Sequence, residues 1–266
     1  AHVASGDNKL PTAIDDASSG ALELWQNRLR AIAVEAGVVL SRLARSVSIK
    51  ERLDFSCAIF DGAGHLITNA PHIPVHLGAM GDTVRDVVHA IDRAAVVPTS
   101  GDAWLSNDPL AGGSHLPDLT VVSLVVCDAR RFFVASRGHH VDVGGLTPGS
   151  MPVASRTLAD EGLRFSRVPL VSDGVLADLH ALVVGSRQPE VVVADIEAQL
   201  AANAHMSRRL RELDPTALAS AMQAIHDRAR AAPEALIAAL PADDFIASDE
   251  LAGIPLCLRV SRRGAR

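Results

Sequence analysis

Two short polar segments in the middle of the chain carry side chains that bind divalent metals. The first is His115-Leu-Pro-Asp118, and the second begins with His139-His140. Two imidazoles and a carboxylate are a common ligand set that leaves positions open for water or substrate. Neighbouring side chains of an extended segment point to opposite faces, so one of the adjacent histidines faces the ion, and we assign that role to His140. The alternative is a set of buried histidines bonded to backbone carbonyls.

Other polar residues are expected around this site. His139 then points away or supports the ligands from behind. Asp142 shares the alternation of His140 and is placed to orient its imidazole. His72 and His76 form a second pair, but the proline between them prevents a helix. In an extended segment they lie roughly 13 Å apart, so a hydrogen-bonding pair, or one histidine lining a pocket, is favoured over a shared ion.

A further polar run precedes the first segment. Asn107-Asp108-Pro109, followed by Gly112-Gly113, offers an amide, a carboxylate and a backbone that a ligand can approach closely. The same residue types are also ordinary turn formers.

The elements between the two segments explain how they meet. Residues 119–126 and 131–136 are apolar runs typical of buried strands, and a short turn connects them. Because a β-hairpin brings its ends together, the glycine-rich loops 107–118 and 138–150 are expected side by side.

The remaining pattern predicts an α+β fold, in which a mixed sheet with glycine-rich loops carrying the metal site is flanked by helices and followed by a helical section. We expect a flexible lead at 1–20, a core at 21–188, and a helical section at 189–266 that ends in a strand. The predicted helices are 21–45, 79–94, 190–213, 215–231 and 233–240, and the predicted strands outside the central hairpin are 55–60, 65–68, 101–106 and 254–260.

Composition excludes several classes of function. The net charge is −6, and only two of the 25 basic residues are lysines, so we expect neither nucleic acid nor a membrane surface as partner. Three widely spaced cysteines exclude a disulfide framework and favour a cytoplasmic location. A phosphate-binding glycine loop ending in Gly-Lys is missing from the sequence, so any nucleotide is expected on another chain.

Several motifs together resemble the hydantoinase B/oxoprolinase family over roughly residues 21–266. They are Ser48-Ile-Lys-Glu-Arg-Leu-Asp-Phe-Ser-Cys-Ala-Ile-Phe-Asp61, His72-Ile-Pro-Val-His-Leu-Gly78, Asn107-Asp-Pro-Leu-Ala-Gly-Gly-Ser-His-Leu-Pro-Asp118, His139-His-Val-Asp-Val-Gly-Gly145, Pro148-Gly-Ser-Met-Pro152, Glu161-Gly-Leu163, and the later Asp195, Gln199 and Asn203. Two positions depart from the family pattern, because Leu110 replaces an aromatic residue and Ser114 replaces threonine.

The resemblance implies a two-part, hetero-oligomeric machine. An A-type, actin-like partner subunit binds ATP and phosphorylates the substrate carbonyl, and a B-type chain such as this one completes the reaction. The family's ligands for manganese or zinc map onto His115, Asp118 and His140. Asp142 and His139 then support the ligands, and pocket candidates are Asn107, Asp108 and His76.

Three functions follow as hypotheses from the resemblance. The first is the B-type subunit of an ATP-dependent hydrolase of a cyclic amide, such as a hydantoin or oxoproline. The second is a subunit of an ATP-dependent ketone carboxylase of the acetone or acetophenone type. The third is a truncated, non-catalytic scaffold, since the family's B subunits are longer than this chain.

Overall fold

The computed structural model describes residues 19–71, 73, 76–94, 97–239 and 244–261. It separates into two compact units, the first ending at Met222 and the second beginning at Gln223. Helix α7 (Pro215–Ala239) contains this division.

Within the described residues, the first unit contains six further helices and seven strands. In chain order they are α1 (Ser19–Leu43), α2 (Val47–Lys50), β1 (Phe55–Phe60), β2 (Leu66–Pro71), α3 (His76–Arg93), β3 (Ala103–Ser106), β4 (Asp118–Cys127), β5 (Arg130–His139), α4 (Leu158–Glu161), β6 (Val168–Ser172), β7 (Val175–Leu176), α5 (Leu179–Leu182) and α6 (Pro189–Arg211). A 3-10 turn at Pro109–Ala111 lies in the loop before β4.

The seven strands form one antiparallel sheet in the order β2-β1-β5-β4-β3-β6-β7. Its centre is the β4–β5 hairpin that the two apolar runs predict. The predicted α+β class is confirmed, since a sheet of antiparallel strands is covered by separate helices.

Helices cover both faces of the sheet. Leu119 and Val121 of β4 pack with Ile196 of α6, whereas Val122 and Leu124 pack with α3 residues of a second core cluster. Alternate residues of β4 thus enter two different cores, as the pleat of a strand requires. Because neither face meets solvent, the strand shows the continuous apolar run seen in the sequence.

Three polar residues form a buried row on α6, and two of them bond to the sheet. Asp195, Gln199 and Asn203 recur every four residues, and all three are fully buried. The Gln199 amide donates to Leu119 O and Ser136 O, each at 3.0 Å, and the Asn203 amide donates to Val121 O at 2.9 Å. The row is therefore a buried lining rather than a solvated helix face.

Several expected boundaries differ from the structure. Ser19 and Gly20, assigned to the flexible lead, are helical in α1, while 1–18 lie outside the described residues. The two helices expected at 215–231 and 233–240 are the single helix α7, with Pro233 inside it. A proline removes one main-chain hydrogen bond from a helix interior, which here does not end the helix.

The second unit contains a hairpin of β8 (Phe245–Leu251) and β9 (Ile254–Val260). The strand predicted at 254–260 is confirmed, but its partner β8 was not predicted. Every residue of both strands is exposed. Within the described part of the chain, no helix is both long and apolar enough to cross a membrane.

The buried amide row predicts a stability effect. Replacing Asn203 with alanine should lower the free energy of unfolding by about 1–3 kcal/mol, because Val121 O loses its buried donor. Glu197→Ala, on an exposed position of the same helix, is the matched control and should stay within about 0.5 kcal/mol of the parent. Urea unfolding measures both, and equal effects would contradict the assigned role of Asn203.

Candidate functional site

Three side chains meet where the β4–β5 hairpin opens. Asp118 begins β4, His139 ends β5, and the two are direct partners in the strand register. His115 comes from the preceding loop. Its Nδ1 lies 3.2 Å from Asp118 Oδ2, and His139 Nδ1 lies 3.2 Å from Asp118 Oδ1. One possible ligand atom from each of the three residues lies within 4.8 Å of the other two. This spacing is close enough for all three to bind one ion.

The structure places the two adjacent histidines on faces opposite to those expected. β5 continues to His139, so His139 shares the face of its cross-strand partner Asp118. His140 turns to the opposite face, where its Nε2 donates to Gln199 Oε1 at 2.9 Å. The expectation that a single histidine faces the cluster therefore holds, but it is His139 that lies beside Asp118, because the strand runs farther than its apolar pattern indicates.

His76 adds a fourth polar side chain to this cluster. It begins α3 and is buried, with Nε2 3.5 Å from Asp118 Oδ2. Its Nδ1 lies 3.2 Å from Ser56 Oγ. Neither His76 Nε2 nor Asp118 Oδ2 has a hydrogen-bond partner. Buried polar atoms without a partner call for an explanation, and these two lie beside the possible metal ligands His115 and His139. His72 lies outside the described residues.

Asp54 is a neighbour of the cluster that sequence reasoning missed. Its Oδ1 lies 3.9 Å from His76 Nε2, and its carbonyl accepts from the amide of His139 at 3.0 Å. The preceding residue, Leu53, has a φ of 54°, which is unusual for a residue other than glycine. A carboxylate just before a predicted strand was the available signal.

The charges in the cluster favour an ionised carboxylate. Burial opposes ionisation of Asp118, but the adjacent imidazoles of His115, His139 and His76 outweigh it and hold the pKa well below its usual range. The Asp118 carboxylate in turn raises the pKa of His115, while burial acts in the opposite direction. The site is thus an anionic centre surrounded by imidazoles, which suits a cation.

Asn107 and Asp108 hold the loop that carries His115. Asn107 is fully buried, and its amide donates to Leu116 O and Leu163 O at 2.7 and 2.9 Å. Asp108 caps the 3-10 turn through the Leu110 amide and pairs with Arg164 at 2.7 Å. Both were expected to line a pocket. In the structure, their side chains make these contacts within and beside the loop that carries His115.

Asp142 organises the second glycine-rich loop. Its carboxylate accepts from the amides of Gly144, Gly149 and Arg187 at 2.8, 3.0 and 3.1 Å, and from the Arg187 guanidinium. Burial opposes its ionisation, but these backbone donors and Arg187 lower its pKa. Asp142 was expected to orient His140. In the structure, Gln199 of α6 makes the hydrogen bond to His140 Nε2 instead.

The antiparallel sheet and its histidine–carboxylate cluster define a class of α+β protein with a candidate metal centre at the open end of the β4–β5 hairpin. The family model for hydantoinase B/oxoprolinase matches residues 19–266. The chain belongs to this family.

Comparison with individual relatives supports the assignment. The chain is 41% identical over 208 residues to 5-oxoprolinase 1 of Arabidopsis thaliana, a match that covers 72% of this chain and 16% of that protein. It therefore spans only a small part of the curated relatives it matches. Two solved structures share the fold over 89% of this chain. The ATP-dependent caprolactamase from Pseudomonas jessenii has a TM-score of 0.79 at 23% identity, with 42% of that chain covered. A nucleotide-free acetone carboxylase has a TM-score of 0.73 at 17% identity, with 35% covered.

The geometry predicts that His139, rather than His140, controls metal binding. His139→Ala should weaken metal binding by about 10–100-fold or more, because loss of a residue that only supports a ligand already has an effect of that size. His140→Ala, the matched neighbour, should keep its metal while losing about 1–3 kcal/mol of stability, because Gln199 Oε1 loses a buried donor. Elemental analysis after dialysis against manganese or zinc, together with thermal unfolding, separates the two effects. Loss of metal from His140→Ala alone would restore the ligand set expected from the sequence.

Proposed function

We propose that the chain is a B-type component of an ATP-dependent hydrolase of cyclic amides, with a divalent metal at the cluster. The observation that carries the proposal is the buried carboxylate of Asp118 between the imidazoles of His115 and His139, placed on a fold whose family is established. The identity to 5-oxoprolinase favours a cyclic amide over a ketone. The likeness to acetone carboxylase, at 17% identity, is one of fold.

The residues of the cluster fit a metal. His115, Asp118 and His139 would hold it through two nitrogens and one oxygen, a set that suits zinc or manganese. When bound, such an ion supplies a Lewis acid that polarises a carbonyl or lowers the pKa of water. His76 Nε2 lies 3.5 Å from Asp118 Oδ2 and has no hydrogen-bond partner, so it is available for a further polar contact at the cluster.

The reaction divides between two components in this proposal. An amide carbonyl is a poor electrophile, and its phosphorylation by an A-type, actin-like subunit turns the carbonyl oxygen into part of a leaving group. Water then adds to the carbonyl carbon, and the ring C–N bond breaks with proton transfer to the departing amine, which leaves an acyl phosphate. A second water hydrolyses the acyl phosphate to the carboxylate and phosphate. The sequence lacks a phosphate-binding loop ending in Gly-Lys, which supports ATP binding on the partner in a hetero-oligomer.

The chain's own residues bind and orient the activated ring. The imidazole of His115 is 36% exposed and that of His139 is 21% exposed, whereas Asp118 and His76 are buried. The open side of the cluster is therefore formed by the two histidines, and the activated carbonyl would approach there. Asp118 keeps its negative charge behind them, held in place by the strand register.

Reconstitution with an A-type ATP-binding partner tests the proposal. With ATP and a divalent metal, the pair should release ADP and open 5-oxoproline or hydantoin. Asp118→Asn should lower ring opening by more than about 100-fold, the size of effect expected when a group central to charge stabilisation is removed. Glu197→Ala, on an exposed helix position, should behave like the parent.

Other outcomes decide between the hypotheses. Consumption of a ketone and bicarbonate, without ring opening, would establish the carboxylase instead. Partner binding without either reaction, unchanged by Asp118→Asn, would establish the scaffold.

A further inference from the structure

Arg137 is a buried cation next to the cluster of His115, Asp118 and His139. It lies on β5 two residues before His139, so both side chains point to the face covered by α3. Its cross-strand partner is Thr120, which in turn lies two residues after Asp118. Arg137 has no exposed surface and is among the largest fully buried side chains of the described chain. The sequence pattern does not single it out, because it follows directly after the strand predicted at 131–136.

The guanidinium connects three elements that surround the cluster. Its Nε donates to Thr120 Oγ1 in β4 at 2.7 Å, and its Nη1 donates to Ser114 Oγ at 3.1 Å. Its Nη2 donates to Gly112 O at 2.7 Å and to Thr83 Oγ1 in α3 at 3.0 Å. These bonds use the planar fork of an arginine, a geometry that the ammonium of a lysine does not reproduce.

The charge of Arg137 has no direct partner. Among the described residues, no carboxylate forms an ion pair with it, and its four acceptors are neutral. Burial lowers its pKa to about 10, and the charge of Asp118 acts in the opposite direction. The arginine therefore stays protonated at neutral pH, and Asp118 is the carboxylate that balances it electrostatically.

The loop held by Arg137 is tightly enclosed. Gly112 has a φ of 81°, and a Cβ atom there would lie 2.5 Å from both Ala79 O and Thr83 N of α3. A Cβ atom on Gly113 would lie 2.3 Å from Asn107 O. The backbone immediately before His115 thus packs closely against α3 on one side. On the other side it is hydrogen-bonded to Arg137 of the sheet.

We propose that Arg137 is a positioning residue that fixes His115 relative to Asp118. It joins the strand that carries His139, the strand that begins at Asp118 and the loop that carries His115, and it supplies the positive charge opposite Asp118. Its role in metal binding rests on the proposed function, whereas its hold on the loop does not.

Substitution by lysine tests this role, because it keeps the charge and removes the fork. In the metal-free chain, Arg137→Lys should raise hydrogen exchange at Ala111 and Gly113, whose amides donate to Asp108 O. The expected increase is about 10-fold or more, the equivalent of one hydrogen bond to a charged group, while exchange in β1 stays unchanged. Arg130→Lys, the same substitution at an exposed position of β5, is the matched control and should leave the loop as it is.

Metal binding provides the second measurement. Titration with cobalt should show weaker binding in Arg137→Lys by about 10–100-fold, as expected for a residue supporting the ligands, with a visible spectrum altered from that of the parent. A general loss of stability would not change the spectrum of the folded, loaded protein. If Arg137→Lys does not fold, Ser114→Ala removes a single acceptor of the guanidinium and should shift both measurements in the same direction.

The outcomes separate the two proposals. Unchanged exchange in the loop, or unchanged cobalt affinity and spectrum in a variant whose parent binds cobalt, would overturn the role of Arg137. Increased loop exchange in a chain whose parent binds no metal would support the role of Arg137 in placing His115 and would contradict the metal centre.

Discussion

The cross-strand pairing of Asp118 with His139 is the constraint on which the candidate site depends. Strands β4 and β5 pair without interruption from this pair to Cys127 and Arg130 at the turn. Since both faces of the hairpin are buried, a shift by one residue would exchange the two cores and move every polar side chain to the wrong face. The apolar residues that stabilise the sheet therefore also fix which side chains reach the site.

The two faces of the same hairpin use polar residues in different ways. On the face of α6, hydrogen bonds link His140 Nε2, the Gln199 side chain and the backbone of β4 and β5, while His140 Nδ1 has no hydrogen-bond partner. On the face of α3, Asp118 and His76 retain unpartnered atoms. The hydrogen bonds on the α6 face fix how that helix sits on the sheet, whereas on the α3 face His115, Asp118 and His139 bring possible metal-ligand atoms within 4.8 Å of one another. Adjacent histidines thus have different roles because alternation separates them.

The sequence is sufficient for the hairpin, the two loops and two of the three clustered residues, because these depend on local apolar patterns and turn formers. The choice between His139 and His140 depends on where β5 ends, and Arg137-Gly-His139 contains no apolar residue to mark that end. Asp54 and His76 approach the cluster through tertiary packing of β1 and α3, which no local pattern encodes. Arg137 was not predicted because the strand expected at 131–136 ends one residue before it, and the partners of its guanidinium come from other elements.

Rigidity around the cluster follows from how its charges are buried. An ionised carboxylate in an apolar interior is stable only where compensating donors are held in place, so the surrounding loops must be fixed before any ligand arrives. Asn107 and Asp142 each fasten one glycine-rich loop through backbone groups, and Arg137 fastens the first loop to the sheet. The glycines let the backbone pass close to these anchors, and the anchors remove the freedom that glycine would otherwise give the loop. The imidazoles of His115 and His139 are then left as the accessible side of a preorganised centre, which is the arrangement that a reactive intermediate delivered from a partner would require.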